Sequence, residues 1–386
     1  MDSLESNKHF CTREHRLRQS LRTSLVSAGI TAFLLIFLIG EGGGTTESRF
    51  AGIFFAIVGG TFTFWILRTG KVNTPRLILF ISMMLAFTAA YSIYHEITRG
   101  SILLTDEIIA GRDVAICPIT IPFVVPAFVL RGEMIFPASV QALIGIVFLW
   151  LGFALLFGRG WCSWLCFFGG VDQACAAAAK RPRLEMENLS RRWRLFPYAF
   201  LLFLILVAVG TLCPIYCEWL CPLRIIYDPP AVNTTLEWLM AVIFVGGGIV
   251  FLIGGPFLTK KRLYCSLICP LLPVNTIIGN LSPFRVKVDM DRCNDCGKCE
   301  KVCETFAMTT ESRKQGKTMT ECSRCGRCMD VCPQGAIDYR LIGTDIGIRP
   351  IFIILAVVFN LVIMSGFVMA LVHFLLTGEI RSVTGG

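Results

Sequence analysis

Seven stretches of this chain run apolar for nearly the length of a membrane crossing: 24–40, 50–67, 75–94, 140–157, 196–212, 236–258 and 350–376. A helix needs ~20 apolar residues to span a hydrocarbon core ~30 Å thick. Inside lipid every backbone N–H and C=O must be satisfied within the protein, so stretches of this kind are helices. Composition agrees, because a chain that is 54% hydrophobic and only 16% charged does not suit a soluble domain. The expected fold class is mainly α, a polytopic membrane protein with about seven transmembrane helices. The stretch 119–130 carries Pro122 and Pro126 and is too short to cross; it reads as re-entrant or interfacial. The first apolar stretch begins only near Leu25 and shows no small-residue cleavage site after Gly40. It reads as a retained span rather than a signal peptide.

Lys and Arg set the expected orientation. Eighteen of them fall in the amino-terminal tail (Lys8, Arg13, Arg16, Arg18, Arg22), connections 68–76 and 159–194, and Lys260–Lys261–Arg262. Six fall in loops 41–49, 95–139 and 213–235 and in the final tail. The alternation puts the amino terminus in the cytoplasm and the carboxyl terminus outside. The net charge of +9 is thereby a matter of loop location and implies no nucleic-acid partner. The expected organisation is a basic cytoplasmic tail (1–23), a six-helix membrane domain (24–283), a cytoplasmic cysteine-rich module (284–345), and a seventh helix with an outer tail (346–386).

The chain has 18 cysteines, most of them in tight runs. One run is Cys293-x2-Cys296-x2-Cys299-x3-Cys303, and the second is Cys322-x2-Cys325-x2-Cys328-x3-Cys332-Pro333. Each matches the bacterial two-cluster ferredoxin pattern, in which the fourth cysteine ligates the other cluster. Cys293, Cys296, Cys299 and Cys332 are therefore assigned to one [4Fe–4S] cube, and Cys303, Cys322, Cys325 and Cys328 to the other. Zinc sites use paired Cys-x2-Cys rather than a fourfold run with a displaced member. Cys303 precedes Glu304 where the second run has Pro333. The module is expected to be a 2[4Fe–4S] ferredoxin-like α+β insertion between the sixth and seventh spans.

Two further motifs repeat one another. Gly158-Arg159-Gly160-Trp161-Cys162-Ser163-Trp164-Leu165-Cys166 follows the fourth span, and Lys261-Arg262-Leu263-Tyr264-Cys265-Ser266-Leu267-Ile268-Cys269-Pro270 follows the sixth. Such a repeat suggests two pseudo-equivalent halves facing one another. Four thiolates, Cys162, Cys166, Cys265 and Cys269, then meet as a candidate inner-face cluster. Cys117, Cys213, Cys217 and Cys221 form a candidate outer-face set, for which disulfides or apolar packing are the alternatives.

Paired Cys-x3-Cys motifs on membrane helices, followed by a two-cluster ferredoxin, resemble the membrane-bound polyferredoxin family. That family includes the quinol-dehydrogenase subunit of periplasmic nitrate reduction, the membrane regulator of nitrous oxide reduction, and the copper reductase of cytochrome oxidase assembly. The resemblance covers about 140–340, and departs from the family where Phe167 rather than proline follows Cys166. It implies a multi-pass protein of the bacterial inner membrane, working with redox protein subunits and the quinone pool. The implied function is electron transfer through several [4Fe–4S] clusters, as the redox subunit of a quinol-dehydrogenase-type complex. The alternative it implies is an electron donor for metal-centre maturation or regulation.

Only four histidines exist. His9 and His15 lie in the basic tail, and His95 and His373 are thin support for a haem. His95 and Glu96 form a candidate quinol site, a base at membrane depth being able to take the quinol's protons. No side chain is expected to act as a catalytic nucleophile.

Overall fold

The computed structural model describes residues 19–41, 46–97, 117–133, 135, 140–186, 188–213, 215–222 and 234–377. Among these, six helices are long and apolar enough to cross a membrane: Leu21–Glu41, Ser48–Thr69, Leu143–Trp164, Arg191–Thr211, Trp238–Thr259 and Arg349–Gly366. The remaining expected span is also a helix, Asn73–Ile97, whose described apolar part is Asn73–Ala86. The chain is thus a mainly helical, multi-pass membrane protein. The Trp238–Thr259 crossing alternates α and π segments and carries Gly246, Gly247 and Gly248, which pack poorly as a regular helix.

The stretch singled out by its prolines forms a short helix, Ile121–Arg131, after a 3₁₀ turn at Pro118–Thr120. It is too short to cross, and it buries Ile121, Phe123, Val124 and Ala127. Two more half-length helices, Phe167–Ala178 and Leu271–Gly279, begin directly after Cys166 and Pro270. The Cys-x3-Cys motifs are therefore the breaks at which a full crossing gives way to a short helix.

Strand β1 (Phe284–Val288) pairs antiparallel with β2 (Ile337–Leu341), with Val286 opposite Tyr339. Between them run three five-residue helices, Lys298–Val302, Thr310–Lys314 and Arg327–Val331. Aromatic stacking seats this module on the membrane helices. Tyr339 stacks on Phe352 of the last span at 4.0 Å between centroids, and Phe284 lies against both Phe352 and Phe157. Such pairs add ~0.5–1.5 kcal/mol beyond the area they bury. Arg349, at the start of the last helix, donates to Asp338 at 2.8 Å.

Candidate metal centres

The two cysteine runs fold as copies of one loop. Asp295 and Gly297 hold positive φ (61° and 67°), as do Arg324 and Gly326 (54° and 79°) at the same two offsets. Left-handed residues between right-handed ones turn successive backbone N–H groups inward, and such concavities hold anions and iron–sulfur clusters. The copies continue past the fourth cysteines. Ala307 N–H donates to Cys303 Sγ at 3.2 Å and Ala336 N–H to Cys332 Sγ at 3.3 Å.

Cys293, Cys296, Cys299 and Cys332 line one cavity, closed on its inner side by Val288, Ala336 and Ile337. Cys332, from the other run, thus shares a cavity with the first three cysteines of this one. Cys303, Cys322 and Cys325 all lie within electrostatic reach of Cys328. Burial pushes the Cys299 thiol up to about 12 and Cys325 up to about 11. Bare thiols here are neutral at physiological pH, so a metal must displace their protons. Among the described residues no three His, Cys, Asp or Glu side chains are spaced to hold a single metal ion. Around the second set, Ser323 Oγ and Arg324 Nη1 are buried without partners. A multi-iron cluster with hydrogen-bond-accepting sulfurs fits this wider ring and these orphaned donors.

Glu304 occupies the place of Pro333 without changing the backbone. Cys303 has φ −66°, ψ 111° and Cys332 has φ −72°, ψ 112°. The carboxylate is buried and pairs with Arg327, beside Cys328, so it ties one run to the other. The same holds in the membrane. Cys166, before Phe167, has φ −68°, ψ 126°, and Cys269, before Pro270, has φ −62°, ψ 119°. Proline enforces the extended conformation of the residue before it, and here packing enforces it where proline is missing.

The second cysteine run lies against the membrane motifs. Trp164 Nε1–H and Tyr339 O–H both donate to Arg324 O. Arg262 N–H donates to Glu304 O at 2.8 Å, and Lys261 Nζ donates to Cys303 O at 2.8 Å. Three fully buried arginines complete the junction. Arg76 donates to Cys325 O and Ser163 O, and Arg159 to Glu321 O and Cys265 O. Arg262 donates to Cys162 O, Gly169 O, Ser163 Oγ and Cys265 Sγ. Asp172 accepts from Cys265 N–H at 2.9 Å and lies within electrostatic reach of Arg262. Sequence reasoning missed Asp172, and took Arg76, Arg159 and Arg262 as topology charges, the last two also as the basic positions of the repeated motif.

Cys162, Cys166, Cys265 and Cys269 are all buried, and Cys162 and Cys269 each lie within electrostatic reach of the other three. Trp161 Nε1 and Ser266 Oγ, each beside a cysteine, are buried donors without partners, which again suits an anionic cluster. Cys117 and Cys221 of the second membrane set lie close to the first set rather than a membrane's width away. Cys117 lies within reach of both Cys166 and Cys221, and Tyr216 hydrogen-bonds to Tyr264, joining the residues that precede Cys217 and Cys265. The half-length helices after the cysteine breaks explain this proximity. Cys213 and Cys217 are half-buried. His95 and Glu96 fall on the Asn73–Ile97 helix, with side chains outside the described residues. Cys11, His9 and His15 also lie outside them.

Comparison with known proteins agrees with these motifs. A 4Fe-4S binding domain model matches residues 286–309 and 318–338. A second 4Fe-4S binding domain model matches three times, at 140–183, 193–232 and 238–288. The matched segments resemble the membrane-bound ferredoxin-type proteins. The methylamine utilization ferredoxin-type protein MauN of Paracoccus denitrificans is 27% identical over 169 residues, 43% of this chain and 56% of that protein. The ferredoxin-type protein NapH of Haemophilus influenzae is 28% identical over 163 residues, 42% of this chain and 53% of its own. The regulatory protein NosR of Stutzerimonas stutzeri is 27% identical over 158 residues, 40% of this chain and 21% of that protein. The chain spans about half the length of the first two of these relatives. No solved structure matches it. The threefold match makes Cys217-x3-Cys221-Pro222 a third copy of the membrane motif. Its signal was already in the sequence: Tyr216-Cys217 repeats Tyr264-Cys265.

Proposed function

We propose that this membrane ferredoxin-type chain passes electrons between the quinone pool and a redox protein partner, as a subunit of a quinol-oxidising complex. The observation that carries this is the junction of Arg76, Arg159 and Arg262. It fixes the second ferredoxin loop directly onto the membrane motifs, so that thiols run in an unbroken series. Cys293, Cys296, Cys299 and Cys332 would hold a cluster at the exposed end, and Cys303, Cys322, Cys325 and Cys328 one at the junction. Cys162, Cys166, Cys265 and Cys269 would hold a third, and Cys117, Cys213, Cys217 and Cys221 a fourth. Bound clusters supply one-electron transfer; the chain's own residues ligate, bury and hydrogen-bond them. Three buried guanidiniums and Lys261 against Asp172, with Glu304 already paired to Arg327, leave a cationic surplus at the junction. Anionic thiolate clusters on either side compensate it.

The loop charges support an orientation with the ferredoxin module (284–345) in the cytoplasm, the membrane domain at 24–283 and the carboxyl terminus outside. An EPR redox titration of the purified chain with iron and acid-labile sulfide counting tests the proposal. It expects four clusters, about sixteen irons, two of them in the membrane part. About eight irons per chain overturns the membrane clusters.

The likeness to the regulatory protein NosR favours a second reading, a donor of electrons to metal-centre maturation or regulation. A chain of that kind shows no cluster reduction by a quinol in membranes, and its loss leaves a partner enzyme metal-poor.

A further inference from the structure

Between the Asn73–Ile97 helix, the Arg349–Thr377 helix and the break at Leu165–Phe167 lies a cavity. Phe80, Met83, Met84, Phe167 and Met364 line it, and it encloses about 290 Å³ of empty space, its open mouth included. One polar side chain faces it, Asn360, which is 2% exposed. Asn360 Nδ2 donates to Trp164 O at 2.5 Å. A carbonyl oxygen only accepts, so this bond fixes the amide nitrogen toward Trp164 and leaves Oδ1 as the free acceptor. Oδ1 is buried and has no hydrogen-bond partner. A buried acceptor of this kind calls for a donor that the protein does not supply.

The place of the cavity restricts what that donor is. Asn360 lies eleven residues into its helix, about 16 Å along the axis at ~1.5 Å per residue. It falls inside the apolar stretch Arg349–Gly366, which is long enough to cross a membrane. The molecule must therefore dissolve in lipid, tolerate apolar walls and offer one hydroxyl. Methionines conform to irregular partners and pack well against ring edges, and three of the lining residues are methionine. The wall at Leu165 and Phe167 flanks Cys166 on both sides.

We infer that this cavity binds the head group of a membrane quinol, with Asn360 Oδ1 accepting from one ring hydroxyl beside Cys166. The inference rests on the proposed electron-transfer function and names where its lipid-soluble partner sits. The site is about three turns along the helix from His95 and Glu96.

Photolabelling of the full chain in lipid–detergent micelles with an azido derivative of a short-chain ubiquinol tests this. Cross-links are expected within 80–84 and 360–367. Met364→Trp, which fills the cavity without touching the Asn360–Trp164 bond, is expected to cut labelling about tenfold at unchanged iron content, as a ~1.4 kcal/mol loss of binding does. Asn360→Leu, which keeps the size and removes the acceptor, is expected to do the same. If Asn360→Leu also loses iron through Trp164, Met364→Trp alone decides. Labelling that maps near residue 95, or that Met364→Trp leaves intact, overturns the site. Labelling in the cavity of a chain whose membrane cysteines hold no iron supports the site and defeats the electron-transfer reading instead.

Discussion

The guanidinium of Arg262 donates to the carbonyl oxygen of Cys162 at 2.5 Å, so the arginine of one Cys-x3-Cys copy holds the backbone of another. The same group reaches Gly169 O, Ser163 Oγ and Cys265 Sγ. A planar fork with five donors can reach four separate acceptors; an ammonium has only three donors, all on one atom. Arg262→Lys is therefore expected to leave at least one buried carbonyl unmet, at ~1–3 kcal/mol. The expected result is a lower unfolding temperature and loss of iron from the membrane cysteines, with the ferredoxin irons retained. Calorimetry with iron counting checks it, and an unchanged melt shows that the fork is not needed.

Close approach explains a second expectation. A Cβ on Gly169 would stand 1.9 Å from Cys162 O, a backbone atom that cannot step aside. On the neighbouring Gly170 the nearest atom is Met84 Sδ at 2.9 Å, on a flexible side chain. Gly169→Ala is expected to prevent the helix from packing beneath the cysteine break and to abolish assembly in the membrane. Gly170→Ala is expected to cost ~1–3 kcal/mol as simple overpacking. Expression level and melting temperature of the two variants, compared side by side, measure the difference.

The two ferredoxin sites differ in shelter. Cys296 is exposed and Cys293 half-buried, whereas the Cys322–Cys328 loop is covered by Val72, Trp164 and Arg76. Treatment with an iron chelator under air is expected to empty the first site before the second, in two resolved phases of the EPR signal. Cys332→Ser should remove the fast phase and Cys303→Ser the slow one, since each fourth ligand belongs to the opposite run. Loss in a single phase would mean that the membrane domain gives no protection.

What the sequence made legible follows from how local each signal is. Lipid leaves the backbone one solution, so the crossings could be read from apolar length alone. The ferredoxin runs could be read because their cysteines follow one local spacing. The junction could not. Arg159 and Arg262 sit where topology charges are expected, and nothing local separates a solvated loop arginine from one that is fully buried and bonded to four acceptors. Asp172, Asn360 and Arg76 each tie in a residue more than 80 positions away. Proximity of the two membrane cysteine sets was hidden for a different reason: it depends on half-length helices whose breaks lack a consistent proline. The packing that replaces proline at Cys166 is tertiary.

Asp330 offers the last test, because it joins module and membrane by capping a helix it does not belong to. Its carboxylate accepts from Val72 N–H at 2.7 Å and Asn73 N–H at 3.0 Å, at the start of the Asn73–Ile97 helix. Removing such a cap costs ~0.5–2 kcal/mol, so Asp330→Ala is expected to speed amide exchange at residues 72–76 and loosen the module. Burial pushes the Asp330 carboxyl above its ordinary value, with the two amides pulling the other way. A raised folded value means that the fold holds this proton more tightly than the unfolded chain does. Its contribution is therefore full below the unfolded value, about pH 4, and is lost as pH rises through the folded one. Asp330→Asn keeps an acceptor and cannot titrate. Relative to that variant, the wild type is expected to lose protection at residues 72–76 as the pH is raised from acid toward neutral, and a difference that grows in the opposite direction would show that the amide bonds outweigh burial.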